Sequence, residues 1–300
     1  VAIKIDAAKA DSLRTAQQST AFNASQAQPQ LTTVENDVLK ITFSNKGAQP
    51  TTVELKKYKK LTGEPVILQK GTFNKISYRI NSDANHSAET ENIIFTPGVV
   101  VENADKSKTV TFTAGDSSGK QLMHQYVIRP NDYLVDLNIT IQGADKLFTQ
   151  NTMGLLWQAE ATQIEHDFEY EKTQTHICYV KDGSYDFEYI GSGDNKDFSK
   201  QVDWLSVKQQ FFATALQAKN KFANADITWT VPKDTNNHYI ARAVTNAKIK
   251  LPVSGTAVIP LGFYYGPSDY NILKKYNNKM EEMVPYGSGI FAFVKYINRY

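Results

Sequence analysis

The chain has 300 residues, with 33 lysines and arginines against 31 aspartates and glutamates and a formal net charge of +2. This near balance gives no long-range basic field and excludes a nucleic-acid partner. A single cysteine, Cys178, excludes an internal disulfide and is predicted to be a buried, unreactive thiol. No run of 18 apolar residues occurs, so no part of this sequence is predicted to span a bilayer.

The first 30 residues are rich in Ala, Gln, Ser and Asn and carry few large apolar side chains. Such a composition cannot bury enough surface to offset the entropy lost on ordering. Residues 1–30 are therefore predicted to be a polar linker or tether.

Residues 31–266 read as strands separated by turns. Leu39, Ile41 and Phe43 alternate with polar residues, as expected for a half-buried strand. A hairpin is predicted over residues 125–141, with a type I turn at residues 129–132 that places Pro130 second. Strands at short intervals with little helical period between them indicate a mainly β domain of antiparallel sheets packed as a sandwich.

The helical period returns after residue 267. A helix is predicted over residues 268–284, with Ser268 as the N-cap and Asp269 in the first turn. Its apolar positions form a packing face that consists of Ile272, Leu273, Tyr276, Met280, Met283 and Val284.

The last 13 residues, 288–300, are apolar and aromatic but too short to cross a bilayer. On a helix most of the apolar residues share one face, which predicts a helix lying at a membrane surface. The candidate membrane-surface residues are Ile290, Phe291, Phe293, Val294, Ile297 and Tyr300. The alternative is that this stripe packs on the core of its own domain.

Residues with catalytic potential are sparse. Nucleotide-binding, metalloprotease and nucleophile-elbow motifs are absent from the sequence, and its five histidines are far apart. The densest titratable cluster is residues 165–171, whose alternating carboxylates suggest a solvated face or loop rather than a metal or acid–base site. In residues 204–216 the aromatic side chains are interleaved with polar ones, but Lys208 is the one basic residue, so core packing is favoured over nucleic-acid binding.

Four stretches together resemble one family, the large periplasmic domain of the bacterial membrane-protein insertases called YidC, in a Bacteroidetes-like form. Residues 34–48 and 53–58 resemble the opening strands of that domain. Residues 204–212 are similar to its most recognisable segment, and residues 263–270 resemble the segment before its C-terminal helix. The resemblance covers residues 31–300, and residues 287–300 resemble the start of an interfacial helix.

The resemblance implies a twisted, two-sheet antiparallel β-supersandwich, similar to galactose mutarotases, with C-terminal α-helices over residues 267–300. It implies a membrane anchor before Val1 and further spanning helices after Tyr300, at the periplasmic face of the inner membrane. The implied role is a non-catalytic scaffold and docking module, without a cofactor or metal, of an insertase and chaperone that folds inner-membrane proteins alone or with the Sec translocon. Its implied partners are the Sec translocon, SecDF, the lipid surface and nascent membrane proteins, which a membrane region absent from this sequence would contact. Because that region is absent, Arg299 is not the insertase's functional arginine.

Two alternatives stay open. The fold analogy allows a carbohydrate-binding or mutarotase-like protein, for which His124, His166 or His176 could pair with Glu165 or Glu169, although fold alone is a weak guide to function. A groove that holds nascent polypeptide is the other alternative, since extended chains bind to open sheet edges.

Overall fold

A nine-stranded antiparallel sheet is the largest unit of the fold. The computed structural model describes residues 28–82, 85–233 and 238–284. From one edge to the other, the sheet consists of β13 (Ser184–Tyr189), β12 (His176–Lys181), β15 (Val202–Lys208), β16 (Phe212–Phe222), β19 (Thr256–Pro267), β10 (Leu134–Gln142), β9 (Gln121–Ile128), β8 (Lys108–Gly115) and β7 (Val100–Glu102).

Two smaller antiparallel sheets accompany it. The six-stranded sheet runs in the order β14 (Gly193–Phe198), β17 (Asn224–Thr230), β18 (Tyr239–Lys250), β11 (Thr152–Thr162), β5 (Lys75–Asn81) and β6 (Ser87–Glu89). The four-stranded sheet contains β1 (Leu31–Glu35), β2 (Leu39–Ser44), β3 (Gln49–Lys59) and β4 (Pro65–Gln69).

Helices are short in the described ranges. They are α1 (Ala144–Leu147), α2 (Phe168–Thr173) and α3 (Tyr270–Lys274), with 3-10 turns at Thr90–Asn92, Thr149–Asn151 and Met280–Met283. Within the described residues, no helix is both long and apolar enough to cross a membrane.

The two smaller sheets cover one face of the nine-stranded sheet. The hydroxyl of Tyr78 on β5 forms a hydrogen bond with Nε2 of His124 on β9, at 2.9 Å. The ring of Phe43 on β2 lies 4.6 Å from that of Tyr126 on β9, measured between centroids. The Ile76 N–H on β5 donates to the side chain of β3 residue 49 at 2.8 Å, which joins the two smaller sheets. The predicted mainly β, two-layer sandwich is confirmed, with one layer divided into two sheets.

The predicted hairpin is confirmed, but its turn type is wrong. β9 and β10 pair in continuous register from residues 121 and 142 to residues 128 and 135. Asn131 has φ of 50°, a left-handed conformation that a type I turn does not contain. Asparagine tolerates this conformation, and here its N–H donates to the Asp37 carboxylate at 2.8 Å, which fixes the turn from outside the hairpin.

Candidate functional site

The chain after β19 crosses the face of the nine-stranded sheet that the other sheets leave open. We call residues 268–284 the C-terminal strap. Successive side chains of a strand point to opposite faces. The Tyr265 hydroxyl accordingly donates to Gln69 of the four-stranded sheet at 2.8 Å, whereas the Tyr264 ring packs edge-on against Tyr276 of the strap, 5.6 Å between centroids.

The predicted continuous helix over residues 268–284 is wrong. The strap contains only α3 and the 3-10 turn at Met280–Met283. Asn277 and Lys279 have φ of 51° and 67°, left-handed values that interrupt a right-handed helix. The N-cap is Asp269, not Ser268, because the Asp269 carboxylate accepts the Ile272 N–H at 3.0 Å. The Ser268 N–H instead donates to the Phe211 carbonyl at 2.7 Å, which ties the start of the strap to the β15–β16 turn.

Apolar contacts hold the strap on the sheet in spite of this break. Leu273, Met280 and Met283 are 0%, 0% and 3% exposed. The other three residues predicted for the packing face are partly buried and pack against the same core, namely Ile272, Tyr276 and Val284. These apolar side chains therefore lie on the buried side of the strap, although its backbone is not one helix.

Three polar contacts fix the position of the strap. The Trp204 indole N–H donates to the Asn278 carbonyl at 2.8 Å, and the Asn278 side-chain amide donates to Gln217 at 2.9 Å. The Tyr276 hydroxyl donates to the Asp132 carboxylate at 2.7 Å, and burial together with this negative charge raises the pKa of Tyr276. The sequence reasoning missed Asn278, Gln217 and Asp132, although the pair Asn277-Asn278 is a helix-disfavouring signal.

Gly266 lies where β19 meets the strap and is required by close contact. A Cβ atom built there would lie 2.6 Å from the Tyr264 hydroxyl and 2.8 Å from the Tyr133 ring. The Tyr264 hydroxyl itself donates to the Pro267 carbonyl at 2.6 Å. The end of β19 before the strap is thus closely packed, because the glycine leaves room for two tyrosine rings.

An open groove of about 620 Å³ separates α3 from the β9–β10 turn. Its charged lining mixes both signs, with Lys57, Arg129 and Lys275 beside Asp105 and Asp132. The groove therefore offers a partly aromatic surface that carries both signs of charge, with three positive and two negative side chains.

The predicted membrane-surface residues lie outside the described residues. These are Ile290, Phe291, Phe293, Val294, Ile297 and Tyr300. The described part of the chain ends at Val284, which packs against the core, and the predicted membrane-surface residues begin six positions later in the sequence.

Of the mutarotase-like candidates, the structure brings Glu165 and His166 to one open groove but keeps His124 away from it. His124 is 1% exposed, and its Nδ1 lies 3.1 Å from the Ala48 carbonyl. Five strand spacings, about 24 Å, separate β9 from β12, which carries His176. Burial lowers the pKa of both histidines to about 4, with a further contribution from Lys208 at His176. A base that is fully buried in the core cannot reach a sugar bound in a cleft.

The titratable cluster is not a uniformly solvated face. Asp167 caps α2 by accepting the Tyr170 N–H at 2.9 Å, and the helix turns Glu171 inward, where it is 1% exposed. Burial raises the pKa of Glu171 although its carboxylate accepts N–H groups from Ile164 and Glu165, each at 3.0 Å, and from Gln209 at 2.8 Å. The prediction of a solvated face or loop was wrong for Glu171, because residues Phe168–Thr173 form a helix that directs this side chain inward. In the described ranges, no three His, Cys, Asp or Glu side chains are grouped to hold a metal ion.

The aromatic segment from residue 204 packs mainly into the core, as predicted. Trp204 and Phe212 are 0% and 5% exposed. Phe211 is the exception, with 51% of its surface exposed. Cys178 is buried, as predicted, beside the Tyr185 hydroxyl.

Comparison with known proteins gives a consistent family assignment. The sequence model described as the YidC periplasmic domain matches residues 31–297. The membrane protein insertase YidC of Phocaeicola vulgatus is 27% identical over 290 residues, which cover 93% of this chain and 45% of that protein. That of Cytophaga hutchinsonii is 27% identical over 258 residues, which cover 80% of this chain and 40% of that protein. The matches include Bacteroidetes, as the resemblance implied, and this chain spans less than half of each of these two relatives.

Solved structures show the same fold at low identity. YeaD of Salmonella typhimurium superposes with a TM-score of 0.52 at 7% identity, covering 80% of this chain and 91% of that one. The galactose mutarotase related enzyme of Lactobacillus acidophilus gives a TM-score of 0.50 at 10% identity, covering 79% of this chain and 97% of that one. At such identities the likeness concerns the fold alone.

Proposed function

This chain belongs to the YidC periplasmic domain family, and we propose that it is the non-catalytic scaffold and docking module of a membrane-protein insertase. In this role the β-sandwich lies at the periplasmic face of the inner membrane. The strap connects it to the apolar residues 287–300, which lie on the membrane surface. The domain boundaries proposed are a tether over residues 1–30, the β-body over 31–266 and the membrane-directed segment over 267–300.

The observation that carries this proposal is the attachment of the strap. Leu273, Met280 and Met283 are buried against the β-body, and Trp204 and Gln217 hydrogen-bond Asn278. A segment fixed in this way transmits the orientation of the tail to the sandwich, which a free linker would not do. Docking of the β-body to other components then takes place at a defined orientation to the bilayer.

Binding to phospholipid vesicles tests the membrane part of the proposal. The 300-residue chain is compared with a truncation that lacks residues 287–300, which leaves every described residue in place. We expect the truncation to lose most of its vesicle binding, because an interfacial helix binds through its buried apolar area. Equal binding of the two proteins would contradict a membrane-surface role for the tail.

A matched pair of double variants distinguishes the contribution of the apolar face to vesicle binding from that of the length of the tail. Phe293→Ser with Val294→Ser removes apolar area on the predicted face, and Asn298→Ser with Lys295→Gln changes the other side. The first pair should weaken vesicle binding and the second should change it less. The reverse order would contradict the assigned face.

SecDF is the partner proposed for the β-body, and the Sec translocon and nascent membrane proteins are proposed for the whole insertase. Capture of purified SecDF by the immobilised 300-residue chain, with an unrelated β-sandwich of similar charge as the control, tests the first of these. Retention equal to that of the control would contradict the docking role.

A further inference from the structure

In the parts of the chain that the structure describes, large aromatic side chains are exposed at few places. Within the described ranges, Tyr170, Phe187, Tyr189 and Phe211 are 53%, 37%, 70% and 51% exposed. Burying such rings is favourable, so their exposure in one region marks a surface that contacts a partner.

These four side chains gather at one end of the nine-stranded sheet. Tyr189 on β13 is paired with His176 on β12, and His176 is paired with Lys208 on β15. Adjacent strands lie about 4.8 Å apart, so this row spans about 10 Å. Phe211 lies in the turn that follows Lys208, and Phe187 packs edge-on against His176 at 5.0 Å between centroids.

The buried Glu171 carboxylate brings α2 and its Tyr170 to the same end. It accepts hydrogen bonds from the Gln209 side chain in the β15–β16 turn and from the Ile164 N–H. The Lys60 ammonium group donates a hydrogen bond to the carbonyl of the neighbouring residue, Gln163, at 2.8 Å. This contact brings the β3–β4 turn to the same end of the sheet, and Leu61 at the tip of that turn is 87% exposed.

We call this surface the aromatic rim and define it by Leu61, Tyr170, Phe187, Tyr189 and Phe211. Its surroundings carry both charges. Lys60 lies beside Glu64 in the β3–β4 turn, and α2 and its N-cap carry Asp167, Glu169 and Lys172. Such a mixed surface lacks the single-sign field that attracts a strongly charged partner. Tyrosine, phenylalanine and leucine flanked by lysine are instead typical of side chains at the boundary between lipid and water.

We propose that the aromatic rim contacts the headgroup region of a phospholipid bilayer, as a second membrane contact beside residues 287–300. This inference rests on the proposed function, which places the domain next to a membrane. Lys279 of the strap donates to the Gly183 carbonyl in the β12–β13 turn, and Tyr189 lies at the other end of β13. Five residue steps of a strand span about 17 Å, so a bilayer that lies along this edge of the sheet would contact both the rim and the chain beyond Val284. Hydrogen bonds already hold the loops that carry the rim, so binding to a bilayer costs little conformational entropy.

The first test compares matched surface variants of the full chain on vesicles of phosphatidylcholine and phosphatidylglycerol. The rim variant carries Tyr170→Ser, Tyr189→Ser and Phe211→Ser. The control carries Leu31→Ser, Val253→Ser and Val258→Ser, at positions 67%, 85% and 56% exposed away from the rim. We expect the rim variant to bind about tenfold more weakly and the control to stay within about twofold of the unmodified chain.

Truncation of residues 287–300 distinguishes this inference from the proposed function. If the truncation loses binding and the rim variant keeps it, the rim inference fails and the tail proposal stands. If the rim variant loses binding and the truncation keeps it, the tail proposal fails and the rim inference stands. Because aromatic insertion is not a long-range charge effect, raising the salt concentration should change rim-dependent binding little; abolition by salt would overturn the inference.

The second test locates the rim relative to the lipid. The three native tryptophans are at most 3% exposed, so a tryptophan placed on the surface is the one accessible to membrane-embedded quenchers. Phe211→Trp should lose fluorescence on vesicles that contain brominated lipid, whereas Val258→Trp should keep it. Unquenched Phe211→Trp fluorescence on vesicle-bound protein would overturn the inference. The same result is expected if a protein, rather than lipid, covers the rim.

Discussion

Trp204 on β15 and Asn278 in the C-terminal strap are joined by a hydrogen bond of 2.8 Å, in which the indole N–H donates to the backbone carbonyl. The indole is fully buried, so an unpaired N–H there would be costly. The aromatic segment over residues 204–212, which resembles the family in sequence, thus provides a hydrogen bond that holds the strap in place.

Trp204→Phe should lower the free energy of unfolding by about 2 kcal/mol, because it removes this hydrogen bond and leaves a small cavity. Amide hydrogen exchange of residues 278–283 should also become faster. Trp229→Phe is the matched control, since the Trp229 indole donates to the Ile190 carbonyl at 3.0 Å away from the strap. Strap exchange that rises equally in both variants would contradict a specific role for Trp204.

Stability should fall between about pH 6.5 and pH 4 because of His124. Burial lowers the pKa of His124 to about 4, so in this range the unfolded chain takes up a proton that the folded chain refuses. The contribution of this histidine is fully present above pH 6.5, and up to about 3 kcal/mol is lost as the pH falls through the folded value.

The variant His124→Gln removes that titration while keeping a side chain that can donate and accept. Its unfolding free energy should depend less on pH than that of the unmodified chain, although His176 leaves a residual slope in the same direction. His238→Gln, at an exposed histidine, is the control. Urea unfolding at several pH values provides the measurement, and an unchanged slope in His124→Gln would refute the assignment.

Glu171→Ala should destabilise the protein by about 3 kcal/mol, since it leaves the N–H groups of Ile164 and Glu165 and the amide of Gln209 without their acceptor. Glu169→Ala is the control on the same helix, where the side chain is 71% exposed. Thermal unfolding measures both, and equal effects would show that the carboxylate at position 171 is not needed.

The pH dependence of Glu171 has the opposite sign to that of His124. Burial raises the pKa of Glu171, so its favourable contribution is complete below the unfolded value near 4.3 and declines as the pH rises through the folded value. Glu171→Gln should therefore lack this decline while losing some hydrogen bonding. An undiminished decline in Glu171→Gln would assign it to another group.

Cys178 should react about a thousandfold more slowly with a thiol reagent in the folded protein than in denaturant. Burial raises the pKa of the thiol to about 12, and the thiolate is the reactive form. Absorbance of the released thiol-reagent product at pH 8 measures the rate, with the same protein in guanidinium chloride as the reference. Comparable rates would mean that the thiol is accessible.

The alternating strands were the part of the fold that the sequence predicted well. On β10, the residues Leu137, Ile139 and Ile141 are buried at every second position, so period and burial agree. The strap was predicted less well, because apolar spacing reports which side is buried but not whether the backbone stays helical. Asn277 and Lys279 adopt left-handed conformations that allow Asn278 to meet Trp204 and Gln217, which are far away in sequence.

The candidate site was predictable only in part for the same reason. The six residues of the packing face were predicted from local spacing, whereas Asn278, Gln217 and Asp132 act through contacts between distant segments. Glu171 shows this limit most clearly. Its sequence neighbours are solvated carboxylates, and only the turn of α2 directs this one inward to N–H groups of two other segments.

The attachment of the strap also determines how the domain would respond to mechanical force. A pull on the chain beyond Val284 reaches Met283 and Met280 first, then the contacts of Asn278, and only afterwards α3 and β19. These contacts would give way one after another, while the hydrogen-bonded ladder between β19 and β16 remains intact. If the chain beyond Val284 is held at a membrane, as proposed, the strap lengthens under tension and leaves the β-body folded.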